Sequence, residues 1–256
     1  MNINRLIGWK PEQLGDTLRG FPIFWRNYQK YRSQAARLAD TFPVTKVTPY
    51  FFHDRWAPAG QAQGQYFHQD LLVAREIYRR NPKRHLDVGS RVDGFCAHVA
   101  TFRPIEIVDI RPMPSEVPNM IYRQGNILSR NLENLGTTDS LSCLHTLEHI
   151  GLGRYGDPID PLGHEIAFRN LTGLVDPGGL FYFSVPLGPS RIEFDAHRIF
   201  SYAYLRGLVE TAFDIEDFYF VDDRGSLQHP VAADAQMKAG NFGCHFGLAI
   251  FFLRKR

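Results

Sequence analysis

The chain has 256 residues, 44% of them hydrophobic and 22% charged, which fits one large globular domain or a domain with an appendage and excludes a low-complexity chain. A net charge of +2, with no basic run beyond the terminal Arg254-Lys255-Arg256, argues against nucleic-acid binding through bulk charge, and no apolar run approaches membrane-spanning length. The opening MNINRLIGWKPEQLG has no apolar secretion core, and Cys96, Cys143 and Cys244 form no C-x-x-C, so the expectation is a cytoplasmic protein with reduced thiols.

Residues 1–65 read as an N-terminal helical and extended cap. Trp25–Ala39 is predicted as a helix bracketed by Pro22 and Pro43. Phe42–Phe52, β-branched and aromatic but interrupted by Pro49, reads as an edge strand or extended loop, and His53–Gly64 as a loop. From Tyr66 the rhythm changes. Gln69–Arg80 is an amphipathic helix ended by Asn81-Pro82. Strand-like runs follow at Leu86–Val88, Ile105–Asp109, Met120–Tyr122, Leu141–Leu144, Leu180–Val185, Ile215–Val221 and Phe246–Leu253. Helical patterns at Phe95–Phe102, His164–Leu174 and Tyr202–Phe213 separate several of them. Such alternation predicts an α/β, doubly wound, mostly parallel sheet over residues 66–256. The last two runs, joined by the loop Asp222–Asn241, are expected to pair antiparallel at a sheet edge.

The stretch HLDVGSRVDGF, His85 to Phe95, organises the chemistry. Leu86–Val88 supplies a short buried strand, Gly89 a tight turn, and Gly94 precedes a helix. Ligands of open α/β sheets bind in the crevice at such carboxyl ends, where a glycine turn exposes backbone N–H groups. Asp109 follows Asp87 by 22 residues and ends the second strand, a spacing suited to binding two ribose hydroxyls. Asn126, after Gln124-Gly125, presents an amide to an adenine or else serves turn chemistry. The fourth strand runs into His145-Thr-Leu-Glu148-His149.

The order DVGSRVDGF, EIVDIRP, QGNIL, SCLHTLEHIG and PGGLFYFSVP resembles class I S-adenosylmethionine-dependent methyltransferases over Tyr66 to Leu253. The resemblance implies a Rossmann-like seven-stranded sheet whose last strand is antiparallel. It also implies S-adenosylmethionine as cofactor and S-adenosylhomocysteine as product. Asp87, Gly89, Ser90, Arg91 and Gly94 would hold the methionine end, Asp109 and Ile110 the ribose side, and Asn126 and Ile127 the adenine, while His145 opens the methyl-transfer face. A narrower resemblance, carried by Gly151–Pro161 (GLGRYGDPIDP), Tyr66–Asp70 and Phe194–Arg198, is to an uncharacterised methyltransferase-like family associated with surface-polysaccharide assembly. Arg91 and Asp93 stand where many members place a further glycine. Arg91 would then pair with the methionine carboxylate or with Asp93.

Transfer to a hydroxyl benefits from a base that titrates near neutrality, which makes His149, His197 and His145 the candidate catalytic residues. Arg154, Tyr155, Asp157, His197 and Arg198 suit a small polar or saccharide acceptor, the expected partner, with the oligomeric state left open. Two other readings stand beside O-methylation of a sugar or glycan precursor. One is a non-catalytic binding or scaffold protein that kept the fold. The third is a zinc hydrolase, because His145, Glu148 and His149 match H-x-x-E-H. That motif needs both histidines on one helix face, whereas here an apolar strand runs directly into His145 and Gly151 and Gly153 follow, so no metal is expected.

Overall fold

The computed structural model describes residues 12–38, 42–48, 55–129, 135–230 and 234–256. The chain divides into two compact units, Met1–Gln61 and Ala62–Arg256. In the first, helix α1 spans Glu12–Ala35 and contains Pro22. The sequence-based boundary at Pro22 is therefore corrected: the proline forfeits one backbone hydrogen bond, and helix formers on both sides carry the helix through it. Residues 42–48 have no regular structure, and 49–54 lie outside the described residues.

The second unit opens with helix α2, Gln65–Arg80, which ends on Asn81 in the left-handed conformation with Pro82 behind it. Strand β1 is Leu86–Val88. A π-turn at Val92–Cys96 leads into the short helix α3, Ala97–Ala100, where a longer helix was expected. Strands β2 (Ile105–Asp109), β3 (Met120–Gln124) and β4 (Thr138–Leu144) follow. A 3-10 turn at Leu147–His149, helix α4 (Gly163–Leu174) and the long strand β5 (Val175–Leu187) come next. A hairpin of β6 (Arg191–Glu193) and β7 (His197–Ile199) precedes helix α5, Tyr202–Val209. The chain closes with β8 (Phe213–Val221), β9 (Leu227–Gln228), helix α6 (Ala235–Ala239) and β10 (Gly247–Lys255).

The sheet has eight strands in the order β3-β2-β1-β4-β5-β10-β8-β9. Strands β1 to β5 pair in parallel, and β10 runs antiparallel to both neighbours. One expectation, the strand count, changes. The eighth strand is the two-residue β9, too short to show a period in sequence. The last two runs do pair antiparallel, as β8 and β10, toward the β9 edge of the sheet, with β10 also paired to β5.

Period-two alternation explains the layers. In β5, Phe181, Phe183 and Val185 enter one core with Phe168 and Leu171 of α4 and Leu205 of α5. Leu180 and Tyr182 enter the opposite core with Leu72, Val73 and Ile77 of α2 and Phe95 and Val99. Strand β10 divides likewise, Ala249, Phe251 and Leu253 against Leu248, Ile250 and Phe252. A sheet covered on both faces needs such continuous apolar runs. Because β1 sends its connections to β2 on one side and pairs with β4 on the other, a crevice opens between their carboxyl ends.

Candidate active site

That crevice holds a cavity of about 340 Å³. Val88, Gly89 and Arg91 line it after β1, Asp109 to Arg111 after β2, Gly125 to Ile127 after β3, and Leu144 to Thr146 after β4. Tyr66 of α2, His149, Ile150, Tyr155 and Asp157 complete the wall. The volume is in the range of small-molecule sites.

The turn after β1 is built for close approach. Gly89 has φ 73°, and a Cβ there would sit 2.4 Å from Thr146 Cγ2. Gly94 admits α2 instead, since a Cβ would meet Asp70 Oδ2 at 2.5 Å. Gly94 therefore lies behind the wall and holds helix against turn. Asp87 and Ser90 are also placed away from the cavity. Asp87 is fully buried, its Oδ1 accepting from Ser142 and Ser90 hydroxyls at 2.5 Å and its Oδ2 from the Ser90 amide at 3.1 Å. Burial pushes its carboxyl up to about 6 against these bonds. Ser90 Oγ in turn accepts from the Leu144 amide at 3.0 Å, which staples the end of β4 to the turn. Both residues shape the turn from beneath.

Arg91 lines the cavity but is committed on both sides. Its guanidinium donates to Asp93 at 2.6 and 3.0 Å and lies 5.4 Å from the Tyr66 ring centroid. The expected pairing with Asp93 is present. Asp109 faces the cavity, with Arg111 donating to Oδ1 from its amide and Nε at 2.8 and 3.0 Å and to Oδ2 at 2.7 Å. A carboxylate has about four acceptor positions, so roughly one remains free. Asn126 Oδ1 accepts from the Leu128 amide at 2.9 Å, so it serves turn chemistry while standing in the wall beside Ile127.

The exit of β4 is held from several sides. His145 adopts φ 53°, a left-handed conformation that a side chain rarely takes. Its amide donates to Ser184 O at 3.0 Å, and Ser184 Oγ donates to Gln69 Oε1, tying β4 to β5 and α2. Its ring lies 4.5 Å, centroid to centroid, from Tyr66. Its Nδ1 is 3.0 Å from Oε1 of Glu148, which is 1% exposed. Burial raises the Tyr66 phenol and the Asp70 carboxyl, in Tyr66 with help from Glu148. His149 donates from Nδ1 to Ala196 O at 2.7 Å, and burial lowers its pKa.

The remaining acceptor candidates separate. Tyr155 is in the wall, with Arg111 4.6 Å and Arg154 5.2 Å from its ring centroid. Asp157 is in the wall too, but its Oδ2 accepts from the Gly151 amide at 2.6 Å and so pins the glycine loop. Arg154 stands outside the wall and donates to Ala196 O. Arg198 is buried and donates to the carbonyl of Ile150 at 2.6 Å, a loop clamp with no access to the cavity. His197, on β7, stacks on Phe246 at 5.1 Å and is likewise not part of the wall. Sequence reasoning missed Arg111, Thr146 and the aromatic pairing of Tyr66 with His145. The Asp-x-Arg spacing at 109–111 was the available signal for the first.

The helix that the zinc reading of His145, Glu148 and His149 requires is not formed. His145 is a strand-end residue and His149 closes a three-residue 3-10 turn, so no helix presents both rings on one face. Among the described residues no group of three His, Cys, Asp or Glu side chains could hold a metal ion. No described helix is long and apolar enough to cross a membrane.

A family model described as "Caenorhabditis protein of unknown function, DUF268" matches residues 126–238, under half of the chain. Comparison with curated proteins gives no match. Solved structures are similar in fold. The 1,6-didemethyltoxoflavin-N1-methyltransferase of Burkholderia thailandensis, with 1,6-didemethyltoxoflavin and S-adenosylhomocysteine bound, aligns at TM-score 0.50 and 16% identity over 96% of this chain and 91% of its own. An S-adenosylmethionine-dependent methyltransferase of Clostridium acetobutylicum aligns at 0.50 and 12% over 76% and 93%. The [4+2]-cyclase SpnF aligns at 0.50 and 14% over 73% and 81%. The chain has the Rossmann-like fold of these proteins.

Proposed function

We propose that the chain is an S-adenosylmethionine-dependent methyltransferase that methylates oxygen on a small polar acceptor such as a sugar or glycan precursor, with S-adenosylhomocysteine as product. The observation that carries this is the cavity itself. It lies at the strand-order reversal and combines the Gly89 turn, the Asp109 carboxylate, the Asn126–Ile127 turn and His145 on one continuous wall. These residues fit the group. The Gly89 turn, bare of a side chain, leaves room for its methionine end, the free position on Asp109 suits a ribose hydroxyl, and Ile110 and Ile127 supply apolar cover for a base.

S-adenosylmethionine supplies an electrophilic methyl carbon on a sulfonium sulfur. The protein's task is then to align an acceptor oxygen with that carbon and to exclude water. Tyr155 offers an aromatic surface for a sugar face, and Arg154 at the rim offers a cation for its substituents. The GLGRYGDPIDP loop, pinned by Asp157 and Arg198, sets the height of that rim.

A binding protein without catalysis is the second reading. The Arg91–Asp93 and Asp109–Arg111 ion pairs favour it, since both occupy groups that a cofactor would use. The cyclase among the similar structures illustrates that this fold hosts other chemistry. Incubation with methyl-labelled S-adenosylmethionine and a set of neutral mono- and disaccharides separates the readings. Label in a saccharide supports transfer. Cofactor binding with no transfer to any member of the set removes the sugar assignment.

A further inference from the structure

We propose that Glu148 and His145 form a buried carboxylate–imidazole pair whose free ring nitrogen accepts the proton of the acceptor, so that the substrate is a neutral hydroxyl compound and not a ready-made anion. The proposal rests on the methyl-transfer reading above and assigns its base.

Three observations single out His145 among the candidate histidines. First, it is held from both sides, by Glu148 Oε1 at 3.0 Å from Nδ1 and by the Tyr66 ring. An ionised carboxylate only accepts, so the proton sits on Nδ1 and the lone pair on Nε2. Second, that Nε2 is buried without a hydrogen-bond partner, on a residue that lines the cavity. A buried imidazole nitrogen with no partner is costly, and a donor arriving with the substrate would satisfy it. Third, the left-handed backbone that brings the ring there is tied down through Ser184 and Gln69, a local strain held by its surroundings.

His149 and His197 lack this combination. His149 spends Nδ1 on the Ala196 carbonyl, and its Nε2 is 3.7 Å from Glu148, beyond hydrogen-bond length. The Nε2 of His197 is also unpartnered and buried, but it lies outside the cavity wall and faces Glu193 at 3.4 Å. Glu148 does not itself line the cavity and acts through His145, so its role is positioning. Its Oε2 has no partner, so compensation of this buried carboxylate comes from the His145 Nδ1–H on Oε1.

In the step, the acceptor O–H bond breaks toward Nε2 while a C–O bond forms to the methyl carbon. The C–S bond breaks with its electron pair returning to sulfur, which leaves a neutral thioether. The imidazolium formed is paired with Glu148 until its proton passes to water. The titratable groups facing His145 are Glu148 and His149 from its own segment and Asp70 and Tyr66 from α2.

The test is nitrogen NMR of the full chain labelled in histidine, with the His145 signals identified by their loss in His145→Gln. Spectra are followed with pH in complex with S-adenosylmethionine and, separately, with S-adenosylhomocysteine. The proposal expects the Nδ1–H tautomer and a His145 midpoint roughly one pH unit lower beside the sulfonium cation than beside the neutral thioether. In Glu148→Gln the midpoint should fall by a similar amount while S-adenosylhomocysteine affinity stays within about threefold. An Nε2–H tautomer, or equal midpoints in the two complexes, overturns the base assignment and leaves the cofactor reading intact. Failure of both nucleosides to bind defeats the cofactor reading and the proposal with it. The comparison of the two wild-type complexes holds even where Glu148→Gln does not fold.

Discussion

At the scale of single residues, the proposed ribose role of Asp109 rests on how Arg111 holds its carboxylate. Arg111 fixes both carboxylate oxygens and leaves a small remainder of acceptor capacity toward the cavity. Asp109→Ala should therefore weaken S-adenosylhomocysteine binding by about ten- to a hundredfold, the range of one charge-assisted hydrogen bond. The thermal midpoint should stay near wild type, because no core volume is lost and Arg111 is half exposed. Unchanged affinity in the folded variant would remove Asp109 from the site. Gly89 carries a different kind of constraint. Gly89→Ala must meet both the positive φ and Thr146 Cγ2, and should cost about 1–2 kcal/mol or more in denaturant unfolding. Thr146→Ser deletes the clashing methyl group, so the double variant should recover part of that loss. Equal stability of Gly89→Ala and wild type would mean that the turn relaxes. Asp109 and Gly89 were legible from sequence because strand ends and glycine turns leave local marks. The burial of Asp87 was not, since it depends on Ser142 arriving from a strand 55 residues later.

At the scale of elements, a polar seam joins β1 to β4 beneath the glycine turn. His85, which is buried, meets Ser140 Oγ at 2.8 Å and Ser142 Oγ at 3.1 Å, and Ser142 donates onward to Asp87. The seam therefore orders its protons: Ser142 gives its own to Asp87 and accepts from His85 Nε2–H, while Ser140 donates to Nδ1. Burial lowers His85 to about 3 and raises Asp87 to about 6. The signs oppose. His85 binds a proton more readily unfolded than folded, so its stabilisation is present above its ordinary value near 6.5 and is lost as pH falls toward 3. Asp87 binds one more readily folded, so its contribution declines as pH rises from about 4 through about 6. The histidine has the wider window, so acid should weaken the wild type, at about 1.4 kcal/mol per pH unit where only His85 titrates. His85→Gln should be less stable at pH 7 and should lose less on acidification to pH 4. Parallel stability–pH curves for the two proteins would contradict this. A second element-scale prediction concerns the loop clamp. Arg198→Met keeps apolar bulk but loses the bond to the Ile150 carbonyl, and amide exchange over Ile150–Gly163 should speed up about tenfold or more. Unaltered exchange there would show the clamp to be dispensable. The hairpin that carries Arg198 went unread in sequence because its strands are three residues each and make their pairs only with one another.

At the scale of the whole molecule, the alternation of strands and helices from Tyr66 onward was sufficient to specify a doubly wound sheet and the crevice at its strand-order reversal. Seven of the eight strands had apolar runs long enough to read, and the reversal of strand order beside β1 follows from short right-handed connections. What the sequence left open was which polar residues reach the crevice. His145, His149 and His197 look alike in the linear chain, and only packing separates the residue in the wall beside Tyr66 from the one stacked on Phe246. Gly151–Pro161 looked like an acceptor surface, but much of its composition serves to fold the loop around Asp157 and Arg198. The reading proposed above makes the crevice between β1 and β4 a nucleoside site. The most direct measurement is a calorimetric titration of the full chain with S-adenosylmethionine and S-adenosylhomocysteine, with and without Asp109→Ala. Both should bind at one site per chain, with affinity lost in the variant. Absence of binding by either compound to the folded wild-type protein would contradict it.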